Sequence, residues 1–245
     1  MCAEMKQAMI FAAGLGTRLK PLTDTMPKAL VRVGGQPLLW HVIQKLKHAG
    51  YERIVVNVHH FAGQIVDYLK ANDNFGLDIR ISDESEMLLE TGGGIKKALP
   101  LFDPSEPILI HNVDILSNLD LTSLPTDAPL LVVSQRQTKR YLLFDEDLRL
   151  QGWTNIETGE VKGPIIHHSS DISHLRKLAF SGIHVMHPSL YPLFEDWPER
   201  FPIMDFYLKA CGDNLIKGYE ANDLRLLDVG KLDTLDQAEA FVDGL

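Results

Sequence analysis

The chain has 245 residues, of which 45% are hydrophobic and 23% are charged, and its formal net charge is −9. That length suits one globular domain of the larger kind. No apolar run reaches the length of a membrane span, and the N-terminal "MCAEMKQ" lacks an apolar signal region, so we expect a cytoplasmic protein without a membrane partner. The acidic balance argues against nonspecific binding of DNA or RNA. Any phosphate that the protein binds should therefore be held by a few placed cations.

Cysteine and histidine give little reason to expect a metal site of the zinc type. The chain has two cysteines, Cys2 and Cys211, and neither has a partner at metal-ligand spacing. The histidine pairs at 59–60 and 167–168 are adjacent in sequence, and neighbouring side chains on a strand or loop point apart. We expect both pairs to be surface histidines.

In the first half of the chain, strand and helix patterns alternate. Short apolar or alternating runs predict the strands "AMIFAA", "RIVVNV", "LDIRISDE" and "PILIHNVD". Helical spacing of apolar residues predicts the helices "QPLLWHVIQKLKHAG", "AGQIVDYLKA" and "TGGGIKKALPLF". This order, with short connections, predicts an α/β domain with a largely parallel sheet.

After about residue 130, the regular alternation of strand and helix patterns ends. It contains a strand "PLLVVSQR", a hairpin "YLLFDEDLRLQGW", and two further strands, "FSGIHVM" and "LRLLDVG". Helices are predicted at "PSLYPLFEDW", "PIMDFYLKACG" and "KLDTLDQAEAFV". We expect a single domain over residues 1–245, in which 131–245 form a hairpin-containing lobe over the carboxyl edge of a sheet built by 8–130. That edge is where open α/β sheets bind ligands.

The loop after the first predicted strand, "GLGTRLKPLTDTMPK", carries two cations at a fixed interval. Its glycines match neither a complete dinucleotide fingerprint nor a Walker loop, and alone they fit an ordinary strand-to-helix turn equally well. Arg18 and Lys28 lie ten positions apart, with Pro21 and Pro27 stiffening the path between them. Because arginine grips phosphate oxygens in pairs and lysine supplies a point charge, the two cations beside loop amides would suit a triphosphate.

The longer stretch "FAAGLGTRLKPLTDTMPKALVRVGGQPLL" resembles the signature of the sugar-1-phosphate nucleotidyltransferases, the nucleotide-diphospho-sugar pyrophosphorylases. The resemblance implies a Rossmann-like fold, with a mixed, mostly parallel sheet and helices on both faces. It implies that an NTP and a sugar 1-phosphate give an NDP-sugar and pyrophosphate. Arg18 would bind the β- and γ-phosphates, and Lys28 would neutralise the α-phosphate. The residues expected to wrap the nucleotide with their backbone are Gly14, Leu15, Gly16 and Thr17.

Two aspartates at predicted strand ends complete the expected chemistry. Asp114 ends "ILIHNVD" and Asp228 lies in "LLDVG", and each alone fits a turn or cap aspartate. Together they suit one Mg²⁺, which takes one or two carboxylates plus phosphate and water. The family has the same arrangement, so the resemblance implies that both residues are metal ligands.

The segment "LLETGGGIKKAL" is the expected base-binding loop. Gly92 and Gly93 allow close backbone approach to a flat ring, although a plain helix start is the simpler interpretation. Glu90 is expected to accept a hydrogen bond from a base N–H, which favours UTP, while guanine offers donors too. "LETGGGI" and the short chain most resemble the N-acetylmuramate-1-phosphate uridylyltransferase branch of the family, with mannose-1-phosphate guanylyltransferases as the alternative.

The sugar-phosphate side departs from the family pattern. Many relatives carry Glu-Lys-Pro after the hairpin, where the lysine grips the sugar phosphate, but this chain has "GWTNIETG". Arg140 or Lys162 is expected to take over that contact. The other residues expected near the sugar phosphate are Asn57, Gly152, Asn155 and Gly182.

Two functions of other classes are weighed against this one. A nucleotide-binding regulatory subunit would have lost some of the catalytic residues, yet Arg18, Lys28, Asp114 and Asp228 are all intact. A glycosyltransferase of related fold usually carries Asp-x-Asp, whereas "HNVD" has only the second acid. We expect an enzyme that acts as a monomer or a small homo-oligomer.

Overall fold

The computed structural model describes residues 5–167, 171–221 and 223–244. His168 lies outside the described residues, so the surface position expected for the pair at 167–168 stays a prediction. None of the helices in these ranges combines the length and apolar content that a membrane crossing requires.

Strands and helices alternate along the first half, as the sequence pattern predicts. The strands are β1 (Gln7–Phe11), β2 (Arg32–Val33), β3 (Gln36–Pro37), β4 (Arg53–Val58), β5 (Asp78–Asp83), β6 (Ile108–Asn112), β7 (Ile115–Ser117), β8 (Leu130–Ser134), β9 (Arg140–Phe144), β10 (Leu150–Asn155), β11 (Val161–Lys162), β12 (Arg176–Met186), β13 (Lys217–Glu220) and β14 (Leu226–Asp228). The helices are α1 (Leu38–His48), α2 (Ala62–Ala71), α3 (Glu90–Ala98), α4 (Ile203–Ala210) and α5 (Leu235–Asp243).

A large mixed sheet runs through both halves of the chain. Its order is β11-β10-β9-β12-β6-β1-β4-β5, with β8 beside β12 and β13 beside β8. The central neighbours β6, β1, β4 and β5 are parallel, and β12 is antiparallel to β6. This confirms the predicted α/β fold with a mixed, mostly parallel sheet.

Alternate residues of each central strand face two different hydrophobic cores. In β1, Ala8 and Ile10 face the core that contains residues of α1, α2 and α5, whereas Met9 faces the core of α3 and α4. Because a strand buried on both faces has no polar side, "AMIF" reads as an unbroken apolar run. The two cores confirm that helices cover both faces of the sheet.

One of the predicted helices is a 3₁₀-helix in the structure and not an α-helix. The segment "PSLYPLFEDW" folds as a 3₁₀-helix over Pro188–Phe194, with Pro192 inside it. Proline removes the backbone N–H that an α-helix needs at that point, so a regular α-helix would be interrupted there. The strand β13 was not predicted from the sequence at all.

Candidate active site

A cleft of about 580 Å³ opens at the carboxyl ends of β1, β4 and β6, and we call it the main cleft. This is the edge at which ligands bind in open α/β sheets. Among the residues expected at the site, the main cleft is lined by Gly14, Leu15, Gly16, Thr17, Arg18, Lys28, Asn57, Glu90 and Asp114.

The glycine loop owes its shape to Gly16. This residue has φ of 63°, and an added Cβ would lie 2.9 Å from Thr23 Cγ2. Its carbonyl accepts hydrogen bonds from Leu19 N and from Thr23 Oγ1, each at 2.8 Å. Only glycine fits this left-handed, crowded position without strain. The loop backbone is therefore fixed along the wall of the main cleft.

The two predicted cations reach the main cleft in different environments. Lys28 is buried, 7% exposed, and its Nζ forms an ion pair with Asp114 Oδ2. Arg18 is exposed and lies beside Gly230, where an added Cβ would be 2.9 Å from Arg18 Nη2. The same Cβ would be 2.7 Å from Asp228 Oδ1. Arg18 and Asp228 thus border the same short piece of backbone.

Strand pairing brings the two predicted carboxylates together although 114 residue positions separate them in sequence. Strands β7 and β14 are antiparallel, with Asp228 opposite Ile115, and Val229 N donates to Asp114 O at 2.8 Å. Partial desolvation of its carboxyl group, and next the Asp114 carboxylate, raise the pKa of Asp228, while Lys28, Arg18 and Arg136 oppose that rise. Asp114 and Asp228 therefore repel each other, as expected of two carboxylates placed to share a cation.

These residues fit a magnesium ion. The donors are carboxylate oxygens, which Mg²⁺ prefers, and two carboxylates leave coordination positions for phosphate and water. Within the part of the chain that the structure describes, no group of three or more His, Cys, Asp and Glu side chains is placed to hold a metal ion.

A buried carboxylate that the sequence analysis missed supports the other side of the main cleft. Asn57 Oδ1 accepts from Ala12 N at 2.7 Å, and its Nδ2 donates to Glu84 Oε1 at 2.7 Å. Glu84 Oε2 accepts from Leu89 N at 3.1 Å. Burial raises the pKa of Glu84, and these hydrogen bonds oppose the rise. Asn57 and Glu84 together link the glycine loop to the predicted base loop.

The predicted base loop is bound to the second half of the chain. Glu90 has φ of 63° and lines the main cleft, but its Oε1 pairs with Arg200 Nη2 at 3.0 Å. The amides of Gly92 and Gly93 both donate to Phe201 O, at 2.8 and 3.2 Å. A Cβ at Gly92 would overlap the Phe201 ring, and one at Gly93 would overlap Glu199 O. The structure accounts for these two glycines by helix packing.

The residues expected near the sugar phosphate are divided between two places. Gly182 packs against the main cleft, because its added Cβ would lie 2.7 Å from Asn112 Nδ2, and Asn112 lines the cleft. Gly152 is packed inside the hairpin, where its Cβ would be 2.6 Å from Lys162 O. Asn155 caps a turn by accepting from Glu157 N at 3.0 Å. Neither Gly152 nor Asn155 is among the residues that line the main cleft.

Glu84 and Asn112 could have been suspected from one sequence signal. Each follows or ends a predicted strand, as Asn57 does, and the carboxyl ends of neighbouring parallel strands meet at one edge. The register pairs Phe11 with both Asn57 and Asn112, and Val58 with Asp83, which precedes Glu84. Polar residues at the aligned ends of predicted parallel strands therefore indicate these two positions in the cleft wall.

A glycine loop with two cations, facing two carboxylates at the carboxyl edge of a mostly parallel sheet, defines a class of phosphate-handling α/β enzymes. Comparison with known families identifies this class more closely. The model of the nucleotidyl transferase family matches residues 7–129, which is half of the chain. The chain therefore belongs to the nucleotidyl transferase family, as the sequence signature predicted.

Individual relatives agree with the family assignment. An N-acetylmuramate alpha-1-phosphate uridylyltransferase of Caulobacter vibrioides is 33% identical over 217 residues, which cover 87% of each chain. A mannose-1-phosphate guanyltransferase of Pichia angusta is 29% identical over 214 residues, covering 81% of this chain and 55% of that protein. A solved UDP-glucose pyrophosphorylase complexed with UDP-glucose shares the fold, with a TM-score of 0.78, 18% identity and coverage of 99% and 100%.

Proposed function

We propose that this nucleotidyltransferase transfers a uridylyl group from UTP to a sugar 1-phosphate, and that the sugar is N-acetylmuramate. One phosphate oxygen of the sugar 1-phosphate forms a bond to the α-phosphorus of UTP, and the bond from that phosphorus to pyrophosphate breaks. The observation that carries the proposal is that Arg18, Lys28 and Asp114 line one cleft, with Asp228 beside Gly230, which also lines it. The relative in Caulobacter vibrioides, which spans most of the chain, supports the choice of substrates.

The chain's own residues act by binding and by electrostatics. The nucleophile is already an anion, so the site needs no strong general base. Loop amides of residues 14–17 would contact the phosphates, and Arg18 would stabilise the charge that develops on the leaving pyrophosphate. Lys28 would exchange Asp114 for an oxygen of the α-phosphate. Burial of Lys28 makes this contact stronger than it would be in water.

The proposed cofactor is Mg²⁺, held by Asp114 and Asp228. When bound, it would screen the negative charge of the phosphates and help to orient them. Asp114 and Asp228 would fix its position relative to Lys28 and Arg18. The fixed pairing of β7 with β14 keeps the two carboxylates in register before any ligand arrives.

The choice of base depends on the hydrogen-bond acceptors near the predicted base loop. Glu84 lines the main cleft but uses both carboxylate oxygens to accept from Asn57 and Leu89. Glu90, the residue expected to contact the base, is engaged by Arg200. Uracil and guanine both offer ring N–H groups to such acceptors. A guanylyltransferase acting on mannose 1-phosphate is therefore the second candidate, supported by the relative in Pichia angusta.

The test is pyrophosphate release from each of the four NTPs crossed with a panel of sugar 1-phosphates that includes N-acetylmuramate 1-phosphate and mannose 1-phosphate. We expect the highest kcat/KM with UTP and N-acetylmuramate 1-phosphate. A preference for GTP and mannose 1-phosphate would support the second candidate instead. Nucleotide binding without turnover of any pair would favour the non-catalytic regulatory subunit. The cytoplasmic location and the oligomeric state stay predictions.

A further inference from the structure

Two walls of the main cleft come from parts of the chain that are far apart in sequence. Residues 12–18, which include the glycine loop, form one wall, which we call the phosphate wall. Leu88, Glu90 and Thr91 form another, which we call the base wall. Under the proposed function, a bound nucleotide contacts both walls at once. The separation of the two walls must therefore match the span of one nucleoside triphosphate.

Asn57, near the end of β4, holds the start of the phosphate wall. Its Oδ1 accepts hydrogen bonds from Ala12 N at 2.7 Å and from Ala13 N at 3.3 Å. Its Nδ2 donates to Glu84 Oε1 at 2.7 Å. The side chain is buried, so the protein itself uses both ends of the amide.

Glu84, which directly follows β5, continues this connection to the base wall. Its backbone N donates to Val58 O at 2.7 Å, which fixes the residue to the end of β4. Its Oε2 accepts from Leu89 N at 3.1 Å. Leu89 directly precedes Glu90, whose φ of 63° is uncommon for a residue other than glycine. Glu84 is only 1% exposed, so water does not replace these hydrogen bonds when they are lost.

Gly94 in α3 leaves room for the hydrogen bond between the two side chains. A Cβ at this position would lie 2.8 Å from Glu84 Oε1 and 3.2 Å from Asn57 Nδ2. A side chain there would displace the carboxylate from the amide. The first two glycines of "TGGG" pack against residues 199–201, and the third makes space for this link.

We propose that Glu84 is a positioning residue for nucleotide binding, which acts through Asn57 and Leu89 to set the separation of the phosphate wall and the base wall. The inference rests on the proposed function, because it concerns how the nucleotide substrate is bound. Glu84 touches no substrate in this role, since both of its carboxylate oxygens accept from the protein. A ligand that contacts both walls depends on the link, whereas a ligand of the phosphate wall alone does not.

The experiment measures dissociation constants for UTP and for pyrophosphate by titration calorimetry with Mg²⁺ present. Glu84→Gln keeps the size of the side chain but offers one acceptor to two donors, so one hydrogen bond is lost. We expect UTP binding to weaken about tenfold to hundredfold, which corresponds to one charge-assisted hydrogen bond of about 1.5–3 kcal/mol. Pyrophosphate, which contacts only the phosphate wall, should bind as before. Glu86→Gln, at an exposed position outside the main cleft, is the matched control and should change neither constant.

A double variant tests whether the hydrogen bonds themselves are responsible. Asn57→Asp alone places two carboxylates next to each other and should also weaken UTP binding. In Asn57→Asp/Glu84→Gln the amide and the carboxylate exchange places. The new amide donates to the new carboxylate and accepts from Leu89 N, while the carboxylate still accepts from Ala12 N. All the hydrogen bonds are restored, so UTP binding should return close to the wild-type value.

The outcomes separate a positioning role from a merely structural one. Unchanged UTP binding in Glu84→Gln, or an equal loss in Glu86→Gln, would overturn the inference and leave the proposed function intact. Equal weakening of UTP and pyrophosphate would also overturn it, because that pattern indicates general damage to the fold. A double variant that binds UTP no better than Glu84→Gln would do the same. A wild-type protein that binds no UTP would overturn the proposed function, and this inference with it.

Discussion

At the scale of single residues, opposite charges are positioned in the main cleft before any substrate binds. Lys28 and Asp114 are each other's counterions, and Arg18 and Asp228 flank the backbone of Gly230. A buried cation whose partner is a single carboxylate can exchange that partner for a phosphate without moving into water. Folding therefore bears the free-energy cost of removing these charges from water. An anionic ligand that binds later meets cations that are already desolvated.

The carboxylate of Asp228 is the clearest residue-scale test of the proposed metal site. Asp228→Asn removes one charge and leaves the shape, so we expect the Mg²⁺ concentration for half-maximal activity to rise by about tenfold or more. Asp213→Asn, an exposed aspartate outside the main cleft, makes the same charge change and should leave the Mg²⁺ dependence as it is. Identical Mg²⁺ titrations for the two variants would rule out Asp228 as a ligand.

At the scale of elements, helix α3 depends on a close contact with residues 199–203. Gly92 and Gly93 donate to Phe201 O, Phe201 N donates to Leu89 O, and Ile203 N donates to Thr91 Oγ1. The predicted base loop of the first half is thereby shaped by a segment of the second half.

Two Gly→Ala substitutions test this contact, because we expect only the one at the contact to lower the free energy of unfolding. Gly93→Ala places a Cβ against Glu199 O, and we expect it to lower the free energy of unfolding by about 1–3 kcal/mol. Gly63 lies on the exposed face of α2 with open space around it, so Gly63→Ala should be neutral or stabilising by up to about 1 kcal/mol. Urea denaturation measures both values. Equal stability of Gly93→Ala and wild type would show that α3 tolerates the side chain.

Most elements could be predicted because their apolar residues repeat with a definite period. α2 was predicted with its observed ends, and "RIVVNV" with those of β4. The strand β13, "KGYE", has no apolar alternation, and its position is settled only by parallel pairing with β8. The form of Pro188–Phe194 depends on one proline within an otherwise helical pattern.

The candidate site could be predicted where a motif is continuous in sequence, and less well where it is not. Gly14, Arg18 and Lys28 belong to one local signature, and all three line the main cleft. Glu84 belongs to no continuous motif, and only its position at the end of a predicted strand indicates it, because its partner Asn57 comes from another strand. Register and side-chain direction, which only the folded sheet fixes, decide such contacts.

At the scale of the whole molecule, one sheet joins both halves, and two histidines lie inside it. His111 in β6 and His184 in β12 are buried on neighbouring strands. Burial lowers the pKa of His111 to about 4 and that of His184 to about 3. His184 Nδ1 shares a hydrogen bond with the Tyr207 hydroxyl at 2.6 Å.

These histidines should make the fold sensitive to mild acid. Their pKa values in the folded protein lie below the ordinary value of about 6.5, so the unfolded chain takes up protons first as the pH falls. The stability that the two neutral histidines contribute is fully present above pH 6.5 and is lost as the pH falls toward 4. By pH 5.5 the loss should reach about 1.4 kcal/mol per histidine, or about 3 kcal/mol together.

Chemical denaturation at pH 7.5 and pH 5.5 measures this loss directly. Replacing the exposed His48 by Gln removes an imidazole outside the core and should not alter the difference between the two pH values. Equal free energies of unfolding at pH 7.5 and 5.5 in the wild-type protein would contradict the assignment of neutral, buried histidines.

The central claim is that Lys28 stabilises the α-phosphate in a transfer between an NTP and a sugar 1-phosphate. The most direct measurement is the kcat for pyrophosphate release by Lys28→Ala, beside Lys20→Ala as control. Lys20 lies in the same loop but is exposed and paired with Asp24 at 3.1 Å. We predict a loss of about 10²–10³-fold in kcat for Lys28→Ala, with the fold retained, and wild-type turnover for Lys20→Ala. Wild-type turnover in a folded Lys28→Ala protein would contradict the account.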